Sequence, residues 1–239
     1  MRYMQIVLIV TVLALCNGEA QEAQKTEQSS IQILKAGWDE KEGPALHSGD
    51  TWWGLYPQGD GFELLETTVT LEDANDPCFG AHKTFKLSRE GEPLFLVKGL
   101  KNPQAGPVQT VLSKYTRLAP SEEYHVHQLG WGNYDVLFAL GNVIREGIYL
   151  VIKDYTINIR EQQKQNGIVQ EILHIDRALP NAEMQPAILW IGDLDRDGRL
   201  DIFLDATVYP SGHYILYLSS EAGKGEIVRK VAEMISPGC

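Results

Sequence analysis

The chain has 239 residues and a formal net charge of −11, with 32 acidic against 21 basic side chains. A protein this acidic repels the phosphate backbone of nucleic acids, and no cluster of Lys and Arg offsets the repulsion, so we expect no nucleic-acid partner. The same acidity suits solubility and the binding of cations.

The first twenty residues, MRYMQIVLIVTVLALCNGEA, have the features of a secretory signal peptide. Arg2 supplies a cationic start, an apolar run follows from Ile6 to Leu15, and a small-residue cleavage site ends at Ala20. The apolar run is shorter than the roughly 20 residues that a membrane span needs. We therefore expect an exported chain, periplasmic or extracellular, with no membrane span after cleavage. The alternatives are an uncleaved anchor and lipidation at Cys16.

Two cysteines remain once the leader is removed, Cys78 and the last residue, Cys239. Export permits disulfides, so a Cys78–Cys239 bridge is the simplest interpretation. Such a bridge would fix a C-terminus that otherwise frays. The alternative is a free or intermolecular thiol.

After a polar stretch at 21–30, which predicts a flexible segment, the chain alternates between short apolar runs and turn residues. Strict alternation in Thr67–Leu71 and Tyr155–Ile159 is typical of strands with one solvent-facing side. The candidate strands are Ile31–Lys35, Thr51–Tyr56, Phe62–Leu71, Thr84–Ser88, Leu94–Val97, Val108–Leu118, Glu123–Leu129, Tyr134–Leu140, Ile148–Arg160, Ile168–Ile175, Ala187–Ile191, Asp201–Val208 and Tyr214–Ser219.

These elements predict an all-β fold, an antiparallel sandwich or partial barrel, in a single domain over 31–239 with a soft boundary near 102–107. Gln165–Gly167 predicts the turn of a hairpin between the strands on either side. Only Ser220–Gly225 and Ile227–Met234 are candidate helices, so we expect little helix. No period repeats along the chain, which disfavours a full propeller or solenoid.

The most specific motif is DLDRDGRLD, residues 193–201, here called the aspartate loop. Ca²⁺ takes six to eight oxygen ligands, and carboxylates at alternate positions of a tight loop point inward together. Gly198 permits the sharp turn that brings the later oxygens round. By analogy with an EF-hand, the predicted ligands are the side chains of Asp193, Asp195 and Asp197, the carbonyl of Arg199, and Asp201 directly or through water.

The surroundings of the loop differ from those of an EF-hand. Leu204 stands where an EF-hand has a bidentate glutamate, and Ala187–Ile191 and Ile202–Leu204 are strand-like rather than helical. D-x-D-x-D-G-x-x-D between strands resembles the calcium loops of integrin-type FG-GAP and VCBS repeats, which implies a strand–loop–strand calcium site over Ile191–Asp205. Such repeats usually come in arrays, whereas this chain has one copy. The tail from Tyr214 onward is loosely similar to uncharacterised secreted bacterial proteins, which implies no activity.

Four carboxylates crowded into one loop repel each other unless a cation neutralises them. Because every expected ligand is an oxygen, Ca²⁺ is the predicted ion. Extracellular calcium fills even weak sites, so we expect a structural ion that locks the turn in register rather than a sensor or a catalyst. The alternative is an Asp-rich turn without metal.

Two further features suggest chemistry. His125 and His127 share one face of a predicted strand, where both could bind one transition metal, although spacing identifies no third ligand; the alternative is ordinary histidines. Trp52 and Trp53, with Trp131, suggest a stacking platform for sugars. Because adjacent strand residues face opposite sides, one of Trp52 and Trp53 is expected in the core.

The sequence contains no G-x-S-x-G, Walker A, G-x-G-x-x-G or H-E-x-x-H motif. It therefore favours an exported binding or structural module, stabilised by one Ca²⁺ and one disulfide, with a protein or glycan partner. The alternative is an extracytoplasmic hydrolase acting on glycan or peptide, with carboxylates or His125 and His127 in its site. An enzyme should gather several titratable groups in one concave pocket.

Overall fold

A computed structural model describes residues 30–35, 43–77, 80–127, 134–161, 167–180, 185–207 and 211–236. Within these ranges the chain forms sixteen β-strands and no helix, so the predicted all-β class is confirmed. The strands are β1 (Gln32–Leu34), β2 (Thr51–Gln58), β3 (Gly61–Asp76), β4 (Gly80–Leu87), β5 (Leu96–Lys98), β6 (Gly106–Val108), β7 (Thr110–Leu112), β8 (Thr116–Arg117), β9 (Glu123–His127), β10 (Tyr134–Glu146), β11 (Tyr149–Glu161), β12 (Val169–Ala178), β13 (Ala187–Gly192), β14 (Asp201–Asp205), β15 (Gly212–Leu218) and β16 (Arg229–Ser236).

The strands form three antiparallel sheets. The first sheet has the order β1-β5-β2-β3-β4, with β6 paired to β3, and the second has the order β12-β11-β10-β9. The third has the order β16-β15-β14-β13-β7, with β8 paired to β13. Within the described ranges none of the three sheets closes into a barrel, and the fold is sandwich-like.

The third sheet is the middle layer, because it contributes side chains to two separate cores. Phe203 of β14 lies in the same core as Leu64 of the first sheet, whereas the adjacent Ile202 lies in the same core as Ile157 of the second. Successive strand residues point to opposite faces, so each middle strand serves both cores in turn. Every residue of β13 is buried. This two-sided burial explains why the middle strands are uninterrupted apolar runs in the sequence.

Several predicted elements need comment. β11 and β12 pair antiparallel, which confirms the predicted strand pairing, while most of the predicted turn, Gln165–Gly167, lies outside the described residues. The single strand predicted over Val108–Leu118 is wrong: the segment divides into β6, which pairs with the first sheet, and β7 and β8, which pair with the third, because it crosses between layers. The helix candidate Ile227–Met234 is also wrong. Pairing with the edge of β15 makes this segment strand β16, and tertiary hydrogen bonding overrides its weak helical pattern.

Some predictions fall outside the described residues: the signal peptide at 1–20, most of the flexible segment at 21–30, and the proposed disulfide partners Cys78 and Cys239. The soft boundary near 102–107 covers part of the connection from β5 to β6 and the first two residues of β6, and both strands belong to the same sheet. The part of the chain that the structure describes contains no helix that could span a membrane.

Candidate metal centre

The aspartate loop joins β13 and β14, two inner strands of the middle layer. Their ladder runs to the Gly192–Asp201 pair, which closes the base of the loop. At the tip, Arg196 and Gly198 have positive φ angles of 63° and 82°. A Cβ on Gly198 would meet nothing within 4 Å, so glycine is required there for its backbone conformation and not for space.

Three of the predicted ligands come together. Asp193, Asp195 and Asp197 each offer a carboxylate oxygen, and these oxygens lie within 4.8 Å of one another. Asp193 is buried, Asp195 is half-buried and Asp197 is exposed, so the cluster opens from the protein interior towards solvent. A set of hard oxygens with this spacing suits a cation.

The hydrogen bonds of the two deeper aspartates are incomplete. Asp193 Oδ2 accepts a bond from the Gly198 N–H at 3.0 Å, and Asp195 Oδ2 is bonded to the Ser220 hydroxyl. The other oxygens, Oδ1 of both residues, are buried and have no hydrogen-bond partner within the described part of the chain. An unsatisfied buried acceptor costs about 1–3 kcal/mol, and more when it is charged. Each of the two carboxylates is thus anchored on one oxygen and unsatisfied on the other.

Asp197 is oriented from two directions. Its Oδ1 accepts a bond from the Arg199 N–H at 2.8 Å. The Ser219 hydroxyl lies 3.2 Å from Oδ1 and 3.1 Å from Oδ2 of the same carboxylate. The outermost aspartate of the cluster is therefore held by the loop itself and by the residue that follows β15.

Asp201 and Arg199 lie in different surroundings. Asp201 is fully buried; its Oδ2 accepts the Leu194 N–H at 2.8 Å, and its Oδ1 accepts the Ser219 N–H at 2.8 Å. It stands outside the group of three and braces the loop against the end of β15. Arg199 donates from its guanidinium to the Ile227 carbonyl at 3.1 Å. Metal binding by Asp201 and by the Arg199 carbonyl stays a prediction.

Burial and mutual repulsion of the aspartates favour neutralisation of their charges by a proton or a cation. Burial, with the neighbouring charges of Asp197 and Asp195, raises the pKa of Asp193 despite the hydrogen bond from Gly198. Burial and the charge of Asp195 raise the pKa of Asp201 well above its usual range. Desolvated carboxylates of like charge resist ionisation together unless a proton or a cation compensates them.

Two arginines connect the loop to the outer layers. The Arg196 guanidinium donates to the carbonyls of Gln104 at 3.1 Å and Pro107 at 3.4 Å, at the start of β6 in the first sheet. Arg199 reaches Ile227, whose N–H in turn donates to Gln170 of β12 in the second sheet at 2.7 Å. The aspartate loop is therefore a junction of all three layers.

The histidine pair joins no comparable cluster. His125 and His127 are exposed on β9, on either side of the buried Val126, and Glu123 lies 3.8 Å from His125 Nε2. Among the residues that the structure describes, the three aspartates are the only group of three or more His, Cys, Asp or Glu side chains within ligand distance of one another. The histidines thus gain no third ligand within those residues.

One member of the tryptophan pair is a core residue, as predicted, but the other is not exposed. Trp52 is fully buried, and Trp53 is partly buried against the same core, so one of the two is a core residue. Trp131 lies outside the described residues.

Sequence reasoning missed Ser219 and Ser220. They reach Asp197 and Asp195 from the end of β15, across sequence separations of 22 and 25 residues. The one available signal was that the predicted strand Tyr214–Ser219 ends there. No spacing rule places that end beside the aspartate loop.

Comparison of the chain with protein-family models, with curated proteins and with solved structures finds no match. The resemblance of the aspartate loop to FG-GAP and VCBS repeats therefore rests on residues 191–205 alone.

Proposed function

We propose that this protein is an exported β protein that binds one Ca²⁺ in the aspartate loop, where the ion has a structural role. The observation that carries the proposal is the pair of buried Oδ1 atoms of Asp193 and Asp195 without a hydrogen-bond partner in the described chain. Each carboxylate is already fixed through its Oδ2. A cation that binds the remaining oxygens would satisfy them and remove the charge repulsion at once.

The donor set favours Ca²⁺ over other ions. It consists of carboxylate oxygens, with no imidazole or thiolate among the three clustered residues. Transition metals prefer such nitrogen and sulfur ligands, and Mg²⁺ is seldom held in a cage made of protein ligands alone. The predicted signal peptide supports the same choice, since exported proteins meet abundant calcium.

The position of the loop supports a structural role. Arg196 links it to the first sheet, and Arg199 links it through Ile227 to the second. An ion that stiffens this loop would therefore hold three layers in register. We infer a binding or structural module whose partner is a protein or a glycan.

The hydrolase alternative has one observation in its favour: an open groove of about 480 Å³ between β12 and β15–β16 that contains titratable side chains. Glu233 in this groove is hydrogen-bonded by Lys230 at 3.1 Å and by His213 at 3.2 Å. These bonds outweigh burial and lower the pKa of Glu233. A hydrogen bond from the Gly223 N–H, with Arg229, lowers that of Glu226. A general acid needs a raised pKa, so the groove fits ligand binding better than acid catalysis.

Thermal unfolding of residues 21–239 in EGTA and in calcium tests the proposal. At a calcium concentration 100 times the dissociation constant, binding adds about 2.7 kcal/mol, which corresponds to about 5–10 °C in a domain of this size. Asp195→Asn should abolish the gain, whereas Asp60→Asn, at an exposed turn, should keep it. An unchanged melting temperature in calcium for the wild-type protein would overturn the proposal.

A further inference from the structure

The turn at Ser219 and Ser220 lies directly against the aspartate loop. The Ser219 hydroxyl bonds the carboxylate of Asp197 and the Ser220 hydroxyl bonds that of Asp195. In both bonds the serine hydroxyl donates and the carboxylate oxygen accepts. The turn thus orients two of the three clustered aspartates from a distant part of the chain.

The same part of the chain is attached to the loop at a second point. The Ser219 N–H donates to Asp201 Oδ1 at 2.8 Å, and the Ile227 carbonyl accepts from Arg199 at 3.1 Å. Both points lie in residues 219–229, here called the 219–229 segment, which form turns and no strand before β16 begins at Arg229. The loop therefore bonds the first residue of the segment and a residue near its other end, and most of the segment has no strand pairing of its own.

The segment is hydrogen-bonded to the second sheet through Gln170 of β12, and its Ile227 and Val228 lie in the core that this sheet shares. Gln170 of β12 accepts the N–H groups of Ile227 at 2.7 Å and Val228 at 3.1 Å, and it donates to the Val228 carbonyl at 2.6 Å. Gln170, Val228 and Arg229 also line the open groove. A change in the order of the 219–229 segment would therefore alter a wall of the groove.

We propose that the calcium site has two parts, the aspartate loop and the Ser219–Ser220 turn, and that calcium binding controls the order of the 219–229 segment and of the groove wall it forms. Ser219 and Ser220 are positioning residues, because they act by fixing the carboxylates. This inference rests on the proposed calcium site and adds a regulated element to it.

The first test is calcium affinity, measured by titration calorimetry on the wild-type protein and on variants of Ser220. Loss of a residue that orients a ligand typically weakens metal binding by 10–100-fold, so we expect Ser220→Ala to weaken calcium binding about 10-fold. Ser220→Thr keeps the hydroxyl and should retain most of the affinity.

The matched control is Ser88→Ala in the first sheet. Ser88 is an exposed serine directly after the end of β4, and its hydroxyl accepts the Thr68 N–H at 2.9 Å. The control therefore also loses a hydroxyl that bonds another part of the chain, but in a different sheet from the aspartate loop. Its calcium affinity should equal that of the wild-type protein.

The second test is hydrogen–deuterium exchange with and without calcium. Calcium should slow exchange in peptides from the 219–229 segment about 10-fold or more in the wild-type protein, and peptides from β2 and β3 should show no change. If Ser220→Ala binds calcium as tightly as the wild-type protein, or if exchange in the segment does not respond to calcium, the inference is wrong and the calcium site stands. If the wild-type protein binds no calcium at all, the proposed function fails.

Discussion

The aspartate loop and the β10–β11 hairpin are both connections between antiparallel neighbours, yet their chemistry is opposite. Asp193 and Asp201 of the loop are buried. At the hairpin turn, by contrast, the solvent-exposed fraction is 85% for Ile148 and 65% for Tyr149. The loop contacts both outer layers. The hairpin tip instead extends as a two-stranded ribbon past the last pair with β9, at Phe138, and the last pair with β12, at Ile152.

Folding alone favours apolar residues inside and charges outside, and both connections depart from that rule. The carboxylates of the loop form a group that could hold a cation, and the exposed apolar side chains of the hairpin are typical of a surface that contacts another molecule. Local departures from the general pattern concentrate where a ligand supplies what the chain lacks. The two regions thus differ in the kind of ligand each implies.

The largest expected effect is that of Asp201→Ala on stability. The substitution leaves the N–H groups of Leu194 and Ser219 without their buried acceptor, so we expect a loss of about 3–5 kcal/mol of unfolding free energy in EGTA. Denaturant unfolding measures it, with Asp60→Ala as the exposed control. A loss below about 1 kcal/mol would show that Asp201 is not the brace described above.

Asp193→Asn should separate the destabilisation caused by charge repulsion from the stabilisation caused by calcium binding. Asparagine retains an acceptor for the Gly198 N–H and removes one charge from the cluster, so the variant in EGTA should be as stable as the wild-type protein or more stable. In saturating calcium it should lack the gain of about 2.7 kcal/mol expected for the wild-type protein at 100 times the dissociation constant. Thermal melts in both conditions measure this. A variant destabilised in EGTA would indicate that the charge of Asp193 helps the metal-free fold.

A pair of glycines compares the two connections directly. Gly198 in the loop and Gly147 in the hairpin turn have positive φ angles of 82° and 65°, and a Cβ at either position would meet nothing within 4 Å. Alanine at each should cost about 1–2 kcal/mol through backbone strain alone. Calorimetric titration should show weaker calcium binding only for Gly198→Ala. Equal calcium affinities of the two variants would mean that the loop conformation does not matter for the ion.

The pH dependence should have opposite signs with and without calcium. The raised pKa values of Asp193 and Asp201 give stability that is present at low pH and is lost as pH rises through those values. Acidification from pH 7 towards 5 should therefore raise the stability of the metal-free protein. In calcium it should lower the stability, because protons compete with the ion for the carboxylates.

The difference between the two melting curves isolates the site, because other groups cancel. Glu146, whose pKa is lowered by hydrogen bonds from Arg177 and Lys153, contributes equally in calcium and in EGTA. A calcium-induced rise in melting temperature that stays constant from pH 7 to pH 5 would contradict the assignment of these carboxylates.

The sequence predicted what depends on neighbours along the chain. The D-x-D-x-D-G spacing identified Asp193, Asp195 and Asp197 because their clustering follows from the path of one tight loop. Ser219 and Ser220 were missed because their contacts depend on where β15 ends in space. The helix candidate Ile227–Met234 failed for the same reason, since the edge of β15 and not the local pattern determines β16.

The smallest expected change in stability is at the hairpin turn. It tests whether the exposed apolar side chains of the hairpin, unlike the buried carboxylates of the loop, contribute nothing to folding. Ile148→Ser removes an apolar side chain that is 85% exposed, so unfolding free energy should change by less than about 0.5 kcal/mol. Ile152→Ser in the same hairpin replaces a fully buried side chain and should cost about 3 kcal/mol or more. Denaturant melts give both values, and the fluorescence of a dye that binds apolar surfaces should fall for Ile148→Ser. If Ile148→Ser destabilises the protein as much as Ile152→Ser does, the turn packs within the molecule, and of the two connections only the aspartate loop is left as a ligand site.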